Sequence, residues 1–214
     1  IQVNSEIGLD FATVLRSILR QDPNVIMIGE IRDGETARIA VRASITGHLV
    51  LSTIHTNNSL STIERLLDMD VERYLLASAL EGIISQKLAR KLCEHCKTPR
   101  QTTDWEKSLF KKVLGLDVPQ VYEPKGCEHC IDGYHSRVAI HEVLSISQDV
   151  RDAINNNVDK KELRKLVYSN GTMTLAEDGL YKVLAGFTTT EEILKLIELD
   201  EVLALSEEKE ALKK

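Results

Sequence analysis

No stretch of this 214-residue chain reads Gly-x-x-x-x-Gly-Lys-Ser/Thr. Within these residues there is therefore no backbone nest, with its lysine, to cradle the β- and γ-phosphates of a nucleotide. No apolar run approaches the roughly 18 residues of a membrane span; the longest are pieces such as Val25–Ile28. Aromatic residues are scarce, with three Phe, one Trp and five Tyr, which argues against a base-stacking platform for single-stranded nucleic acid. Positive charge is also in deficit. Lys and Arg number 27 against 33 Asp and Glu, a formal net charge of −6, the wrong sign for a chain built to coat nucleic acid or anionic lipid. The opening Ile1-Gln2-Val3-Asn4 has no Met, no basic segment and no apolar h-region, so no signal peptide is expected and the sequence reads as cut from something longer. Repeats and low-complexity tracts are lacking too. What remains, 43% hydrophobic and 28% charged, is the composition expected of a soluble globular protein with one large or two small domains.

Cysteine is sparse but concentrated. All four fall in two knuckles, Cys93-Glu94-His95-Cys96 and Cys127-Glu128-His129-Cys130, with thirty residues between them. Each Cys-x-x-Cys can turn two thiolates toward one ion, and four soft sulfurs suit tetrahedral Zn²⁺. Disulfides fit poorly because nothing points to secretion, and a redox dithiol needs only one pair. His95 and His129 sit inside the knuckles and could replace a thiolate; the set Cys93, Cys96, Cys127 and Cys130 is the simpler assignment. A closed four-sulfur site leaves no open position for water, so this zinc is expected to hold the fold, supplying on the order of 10 kcal/mol to a segment with little core of its own.

Hydrophobic periodicity orders the rest. Phe11, Val14, Leu15, Ile18 and Leu19 predict a helix ending at Asp22-Pro23. Val25-Ile26-Met27-Ile28, short, apolar and rich in β-branched residues, predicts a strand buried on both faces. Asp33 can cap a following helix whose inner face is Ala37, Ala40, Val41, Ser44 and Ile45, closed by Gly47. Leu49-Val50-Leu51 predicts a second buried strand ending at Ser52-Thr53, followed by a helix with Leu60, Ile63, Leu66 and Leu67 inward. This is a βαβ unit, hence a parallel sheet with a right-handed crossover. A helix to about Leu80, a break at Gly82 and a strand over 84–92 come next. The cysteine segment holds a small amphipathic helix (Trp105, Leu109, Phe110, Val113), Arg137–Ile146 alternates as a strand, and from Gln148 the chain is helical, broken near 155–157, 170–171 and 186–187. The tail Glu207–Lys214 reads as a solvated helix end.

In parallel α/β sheets ligands bind beyond the carboxyl ends of the strands. The first strand delivers Gly29-Glu30-Ile31-Arg32-Asp33 there, the second Ser52-Thr53-Ile54-His55-Thr56-Asn57. An acid just after a buried strand is how phosphate-binding α/β proteins hold Mg²⁺ or orient water. Glu30 reads equally as a surface carboxylate favoured by the next helix's dipole, and His48 and His55 read alone as structural histidines.

The run Leu19-Arg20-Gln21-Asp22-Pro23-Asn24-Val25-Ile26-Met27-Ile28-Gly29-Glu30-Ile31-Arg32-Asp33 resembles the signature of the secretion ATPases that drive type II secretion and type IV pilus assembly. Thr46-Gly47-His48-Leu49-Val50-Leu51-Ser52-Thr53-Ile54-His55-Thr56-Asn57 resembles their His box. The paired knuckles after Arg90-Lys91-Leu92 and the late Gly186-Phe187-Thr188-Thr189 segment with Glu191 and Glu192 are similar as well, so the likeness runs from residue 1 to about 200. The one departure noted is Asn24, where the family usually has Asp.

That resemblance implies a RecA-like ATPase core, working as a homo-hexamer in the cytoplasm at an inner-membrane platform, peripheral to the membrane through its partners and using ATP, Mg²⁺ and Zn²⁺. It implies Glu30 as the Walker B acid near Mg²⁺, supported by Arg32, Asp33 and Thr53, with His48 and His55 as the His-box residues and His55 the γ-phosphate contact. The Walker A loop is expected upstream of Ile1, leaving this piece inactive by itself. Retraction members generally lack the tetracysteine element, which favours secretion or pilus extension. The implied organisation is 1–92 as the C-terminal part of the ATPase domain, 93–135 as the zinc element and 136–214 as a mainly helical subdomain. Arg16, Arg20 and Arg42 are available for phosphate but read more simply as solvated. The rival class is a non-catalytic zinc-stabilised interaction module, including one that binds nucleic acid, and the acidic balance opposes it. No direct nucleic-acid contact is expected.

Overall fold

The computed structural model describes residues 1, 3–4, 7–169 and 171–197. The predicted tail 207–214 and the break at 170 lie outside the described residues. Along the chain the elements run α1 (Phe11–Ile18), a 3-10 turn (Leu19–Gln21), β1 (Val25–Ile28), α2 (Gly34–Ile45), β2 (Leu49–Ser52), α3 (Ser59–Asp68) and α4 (Arg73–Ala79). Then come β3 (Gly82–Leu92), β4 (Thr98–Gln101), α5 (Asp104–Leu114), β5 (Gln120–Glu123) and β6 (Tyr134–Ser145). The last helices are α6 (Gln148–Asn155), α7 (Lys160–Ser169), α8 (Leu175–Leu184) and α9 (Thr190–Leu194). None of the described helices is long and apolar enough to cross a membrane. The chain divides into two compact units, 1–83 with 144–167, and 84–143 with the residues from 168 onward.

In the first unit β1 and β2 pair in parallel, Val25 opposite Leu49 and Ile28 opposite Ser52. Helix α1 starts where Asp10 accepts a hydrogen bond from the Thr13 N–H at 2.7 Å, and it ends before Asp22, which takes a left-handed φ of 50° ahead of Pro23. Leu15, Ile26, Ile28, Ala40 and Ala43 form the core between α1, α2 and the strands. Small residues on the inner face of α2 let its backbone lie close to the sheet, and Ala37 is fully buried. The face differs from its prediction: Ala43 is buried while Ile45 is 45% exposed.

Two-sided burial of the strands is a further correction. Register places Val25, Met27, Leu49 and Leu51 on one face, and Met27 is 77% exposed. The helices of this unit pack against the other face alone among the described residues, so the apolar run reflects a sheet with one side uncovered here.

Gly34, the first residue of α2, fits against the end of α3. A Cβ there would stand 2.4 Å from the Met69 carbonyl oxygen, which is backbone and cannot rotate away. Gly34→Ala is expected to cost about 1–3 kcal/mol through overpacking, read as a lower urea midpoint with an unchanged slope. A midpoint at or above that of the parent chain would show that the α2–α3 approach is loose.

In the second unit β4 and β5 pair antiparallel, Thr98 opposite Glu123, and α5 lies between them in sequence. Phe110, wholly buried, packs with Leu109, Val121, Ile140, Leu180, Val183 and Ile193. β3 pairs with β6, the greater part of both strands belonging to this unit. Trp105, predicted to face inward, is 50% exposed: it sits in the first turn of α5, to one side of the Leu109–Phe110 face.

Three carboxylates of this unit are buried, Glu106, Glu142 and Glu192. Glu106, 3% exposed, closes the capping box of α5 with Thr103 and takes two hydrogen bonds of 2.7 Å from the Arg100 guanidinium and one of 3.0 Å from Thr190 Oγ1. The Arg100 hydrogen bonds hold its carboxyl well below the ordinary range, at about 2. A depressed folded-state value means this stabilisation is complete above about pH 4.5 and is lost as pH falls toward 2. In metal-stripped protein, so that zinc release does not intervene, Glu106→Gln is expected to flatten the acid loss of stability between those limits. Parallel pH profiles for variant and parent would remove Glu106 as its source.

Candidate functional site

The site is built by the two parallel strands. Beyond Ile28, the Ile31 N–H donates to the Thr53 carbonyl at 2.9 Å, and Thr53 Oγ1 donates to the Gly29 carbonyl at 2.6 Å. The two carboxyl ends are thereby tied together, and Glu30 and His55 emerge side by side. Glu30 Oε2 lies 2.6 Å from Arg32 Nε and 3.4 Å from His55 Nε2. The Arg32 contact holds the Glu30 carboxyl below its usual range, so it is an anion at neutral pH. Its side chain is 23% exposed, against 88% for His55. Glu30 Oε2 itself is shielded from solvent and has no aligned hydrogen bond, which leaves a lone pair for a cation or its water. This donor set fits Mg²⁺, a hard ion that takes one or two carboxylates and keeps much of its water.

Asp33 has another task. Its two carboxylate oxygens accept from the Thr36 N–H at 2.8 Å and from Thr36 Oγ1 at 2.9 Å, so it caps α2 and fixes the exit of the Glu30 loop. On the other side, Thr56 Oγ1 and Thr62 Oγ1 lie 2.7 Å apart, and Asn58 caps α3 by accepting from the Ser61 N–H at 2.8 Å; these hold the loop after His55. Thr56 and Thr62 were not singled out from sequence, since hydroxyls at a spacing of six carry no motif. A cleft of about 830 Å³ opens beside Arg32, lined among others by Asn4, Leu9, Asp10 and Glu35.

His48 is not brought to this place. It precedes β2, at the amino ends of the strands, with Nδ1 3.0 Å from the Ala43 carbonyl and 3.3 Å from Thr46 Oγ1. Four strand residues, about 13 Å, separate it from the carboxyl ends, and its ring closes the C-terminus of α2. Of the arginines, Arg16 pairs with Glu35 across α1 and α2, and Arg42 approaches Glu72 at 4.0 Å.

In the second unit the four cysteines converge. Their Sγ atoms all lie within 4.8 Å of one another, with Cys93–Cys127 at 3.8 Å, Cys96–Cys130 at 3.7 Å and Cys127–Cys130 at 3.6 Å. All four are free thiols. A tetrahedron with Zn–S bonds of about 2.3 Å has edges of about 3.8 Å, so the cluster already has the size that zinc requires. His95 and His129 lie outside it, their rings 4.7 Å apart on the surface. No other group of three or more His, Cys, Asp or Glu among the described residues could hold a metal.

An acid and a histidine at adjacent parallel strand ends, together with a tetracysteine element and a helical C-terminal part, define one class of α/β protein. The type II/IV secretion system protein family matches residues 1–195, and the chain belongs to that family. It is 46% identical over 91% of its length to a putative type II secretion system protein E of Escherichia coli, of which it covers 39%. It is 45% identical over 90% of its length to the type IV pilus assembly ATPase PilB of Thermus thermophilus, covering 22% of it. The chain thus spans well under half of the curated relatives it matches. Among solved structures, the ADP-bound pilus retraction motor PilT superposes with a TM-score of 0.64 at 28% identity, over 90% of this chain and 45% of that one. The Legionella pneumophila ATPase DotB does so at 0.61 and 25%, over 87% and 42%. The fold class read from sequence, an α/β protein with a parallel sheet, a four-cysteine cluster and a helical C-terminal part, is the one found.

Proposed function

We propose that this chain is the Walker B and zinc-bearing portion of an ATP-hydrolysing motor subunit that powers type II protein secretion or type IV pilus assembly. The observation that carries the reading is the convergence of Glu30, Arg32 and His55 at two tied strand ends, in a chain about 45% identical to secretion and pilus-assembly ATPases. Mg²⁺, when bound with ATP, neutralises charge on the phosphate oxygens. Glu30 would hold it, directly or through its water, with the oxygen that Arg32 and His55 now flank. Thr53 and Asp33 keep that carboxylate in place from either side. His55, exposed at the surface and 3.4 Å from Glu30 Oε2, would donate to a terminal phosphate and register its loss. The lysine-bearing phosphate loop is not among these residues, so the chain alone is expected to be inactive.

Further parts of the reading follow the family. The working form is a homo-hexamer at the cytoplasmic face of the inner membrane, attached through platform proteins, with 1–92 as part of the ATPase core, 93–135 as the zinc element and 136–214 as a helical subdomain. Four thiolates at tetrahedral spacing support zinc with a structural role. The retraction branch is disfavoured by the knuckles. The test is Mg²⁺-dependent phosphate release from a chain that carries the phosphate loop, and its dependence on Glu30.

A further inference from the structure

The turn joining α8 to α9, Gly186-Phe187-Thr188-Thr189, is gripped by residues that flank the cysteines. Leu92, just before Cys93, donates its N–H to the Phe187 carbonyl at 2.8 Å. Lys97, just after Cys96, donates its Nζ to the Gly186 carbonyl at 3.0 Å. Thr188 Oγ1 donates to the Arg90 carbonyl at 2.8 Å, and the Tyr134 hydroxyl lies 3.2 Å from Thr189 Oγ1. Thr188 and Thr189 are 0% and 2% exposed, so water cannot replace a lost partner and each unmade bond is costly. The fit is close on the other side as well: Gly186 has a φ of +70°, and a Cβ there would stand 2.8 Å from the Tyr122 ring.

Leu92 ends β3 and leads directly into the first knuckle, and Lys97 is placed by it. The Lys97 N–H donates to the Cys93 carbonyl at 3.0 Å, and the Cys93 N–H donates to the Gly133 carbonyl at 2.9 Å. The two knuckles meet through their sulfurs, Cys93 with Cys127 at 3.8 Å and Cys96 with Cys130 at 3.7 Å, and through the His95 and His129 rings. Helix α9, in contrast, is anchored independently by Ile193 in the Phe110 core.

We propose that the tetracysteine site is a metal-dependent clasp for this turn: an ion on the four thiolates sets Leu92 and Lys97 where they hold Gly186–Thr189, and loss of the ion frees the turn while the Phe110 core stays folded. The proposal rests on the zinc reading of the cysteines. It makes the α8–α9 connection report metal loading, and because binding couplings are reciprocal, freeing the turn must weaken the metal.

The experiment is hydrogen exchange on the zinc-loaded chain before and after chelation, with zinc content measured first. Amides of 186–189 are expected to exchange about tenfold faster after zinc loss, a coupling of ordinary size, while those of α5 change less than about twofold. Thr188→Val and Lys97→Met are expected to weaken zinc about tenfold in competition with a chromogenic chelator; Lys107→Met, on the exposed side of α5, is the control that should not. Should Thr188→Val fail to fold, Lys97→Met carries the test. Unchanged exchange at 186–189, equal loss of protection in α5, or unaltered zinc affinity in the folded variants overturns the clasp and leaves the zinc reading standing. Absence of bound zinc in the parent chain overturns both.

Discussion

Glu30→Gln, in a chain that also carries the phosphate loop, is expected to lower ATP turnover by about a hundredfold or more, the scale seen when one preorganised electrostatic group is removed from a transition state. Gln has nearly the same shape as Glu, so nothing is crowded or emptied. The fold should keep its stability, because ion pairs open to solvent, such as Glu30 with Arg32, contribute little. What is lost is the formal charge on the oxygen that lies 2.6 Å from Arg32 Nε and 3.4 Å from His55 Nε2. The measurement is steady-state phosphate release beside nucleotide affinity and thermal midpoint. A fall in turnover with affinity and midpoint retained places Glu30 at the metal. Turnover equal to the parent's would assign Glu30 to the surface-carboxylate reading, with Asp33 alone doing the helix-capping work at this loop.

Cys93→Ser is expected to abolish stoichiometric zinc, from one ion per chain to none after mild chelation, and to lower the thermal midpoint of the second unit by roughly 10 °C, the shift that follows from a loss of about 3–4 kcal/mol in a chain of this size. Cys93 is 1% exposed, so a serine hydroxyl there is both a poor zinc ligand and a buried polar group. The loss falls short of the order of 10 kcal/mol that zinc supplies in isolated fingers, because Phe110, Ile140, Val183 and their neighbours provide a core without the metal. A parent chain with no metal and four thiols that react freely with a sulfhydryl reagent would sink this expectation, whatever the variant does.

The cysteine cluster was legible because its information is local: each Cys-x-x-Cys knuckle is a single turn, and only the meeting of the two needed the fold. Glu30 and His55 were legible because a strand's carboxyl end can be read from where an apolar run stops. His48 shows the limit of that reasoning. It belongs to the same sequence box as His55, yet the direction of β2 puts the two at opposite ends of the strand. The pair β4 and β5 escaped notice because Thr98-Pro99-Arg100-Gln101 has neither alternation nor apolar content, and its pairing comes from partners some twenty residues away. The burial of Glu106 has no signal in the sequence, since only Arg100 and Thr190 folding over it distinguish it from any acid in a first helical turn.

By itself the sequence determined the helices and strands of the first unit, the parallel pairing of β1 with β2, the four thiols as one set with metal-ligand spacing, and the family to which the chain belongs. These rest on short-range chemistry: the helix cap at Asp33, hydrophobic period, and ligand spacing. Tertiary structure alone decided that Glu30 Oε2 is shielded from water with Arg32 and His55 beside it, that Gly34 must lack a side chain because of the Met69 carbonyl, and that one face of β1 and β2 is uncovered among the described residues. It also decided that the Gly186–Thr189 turn lies on the residues next to the cysteines. Each of these depends on contacts between segments distant in the chain, and no local pattern of residues specifies which distant backbone atom will lie within hydrogen-bonding or van der Waals reach.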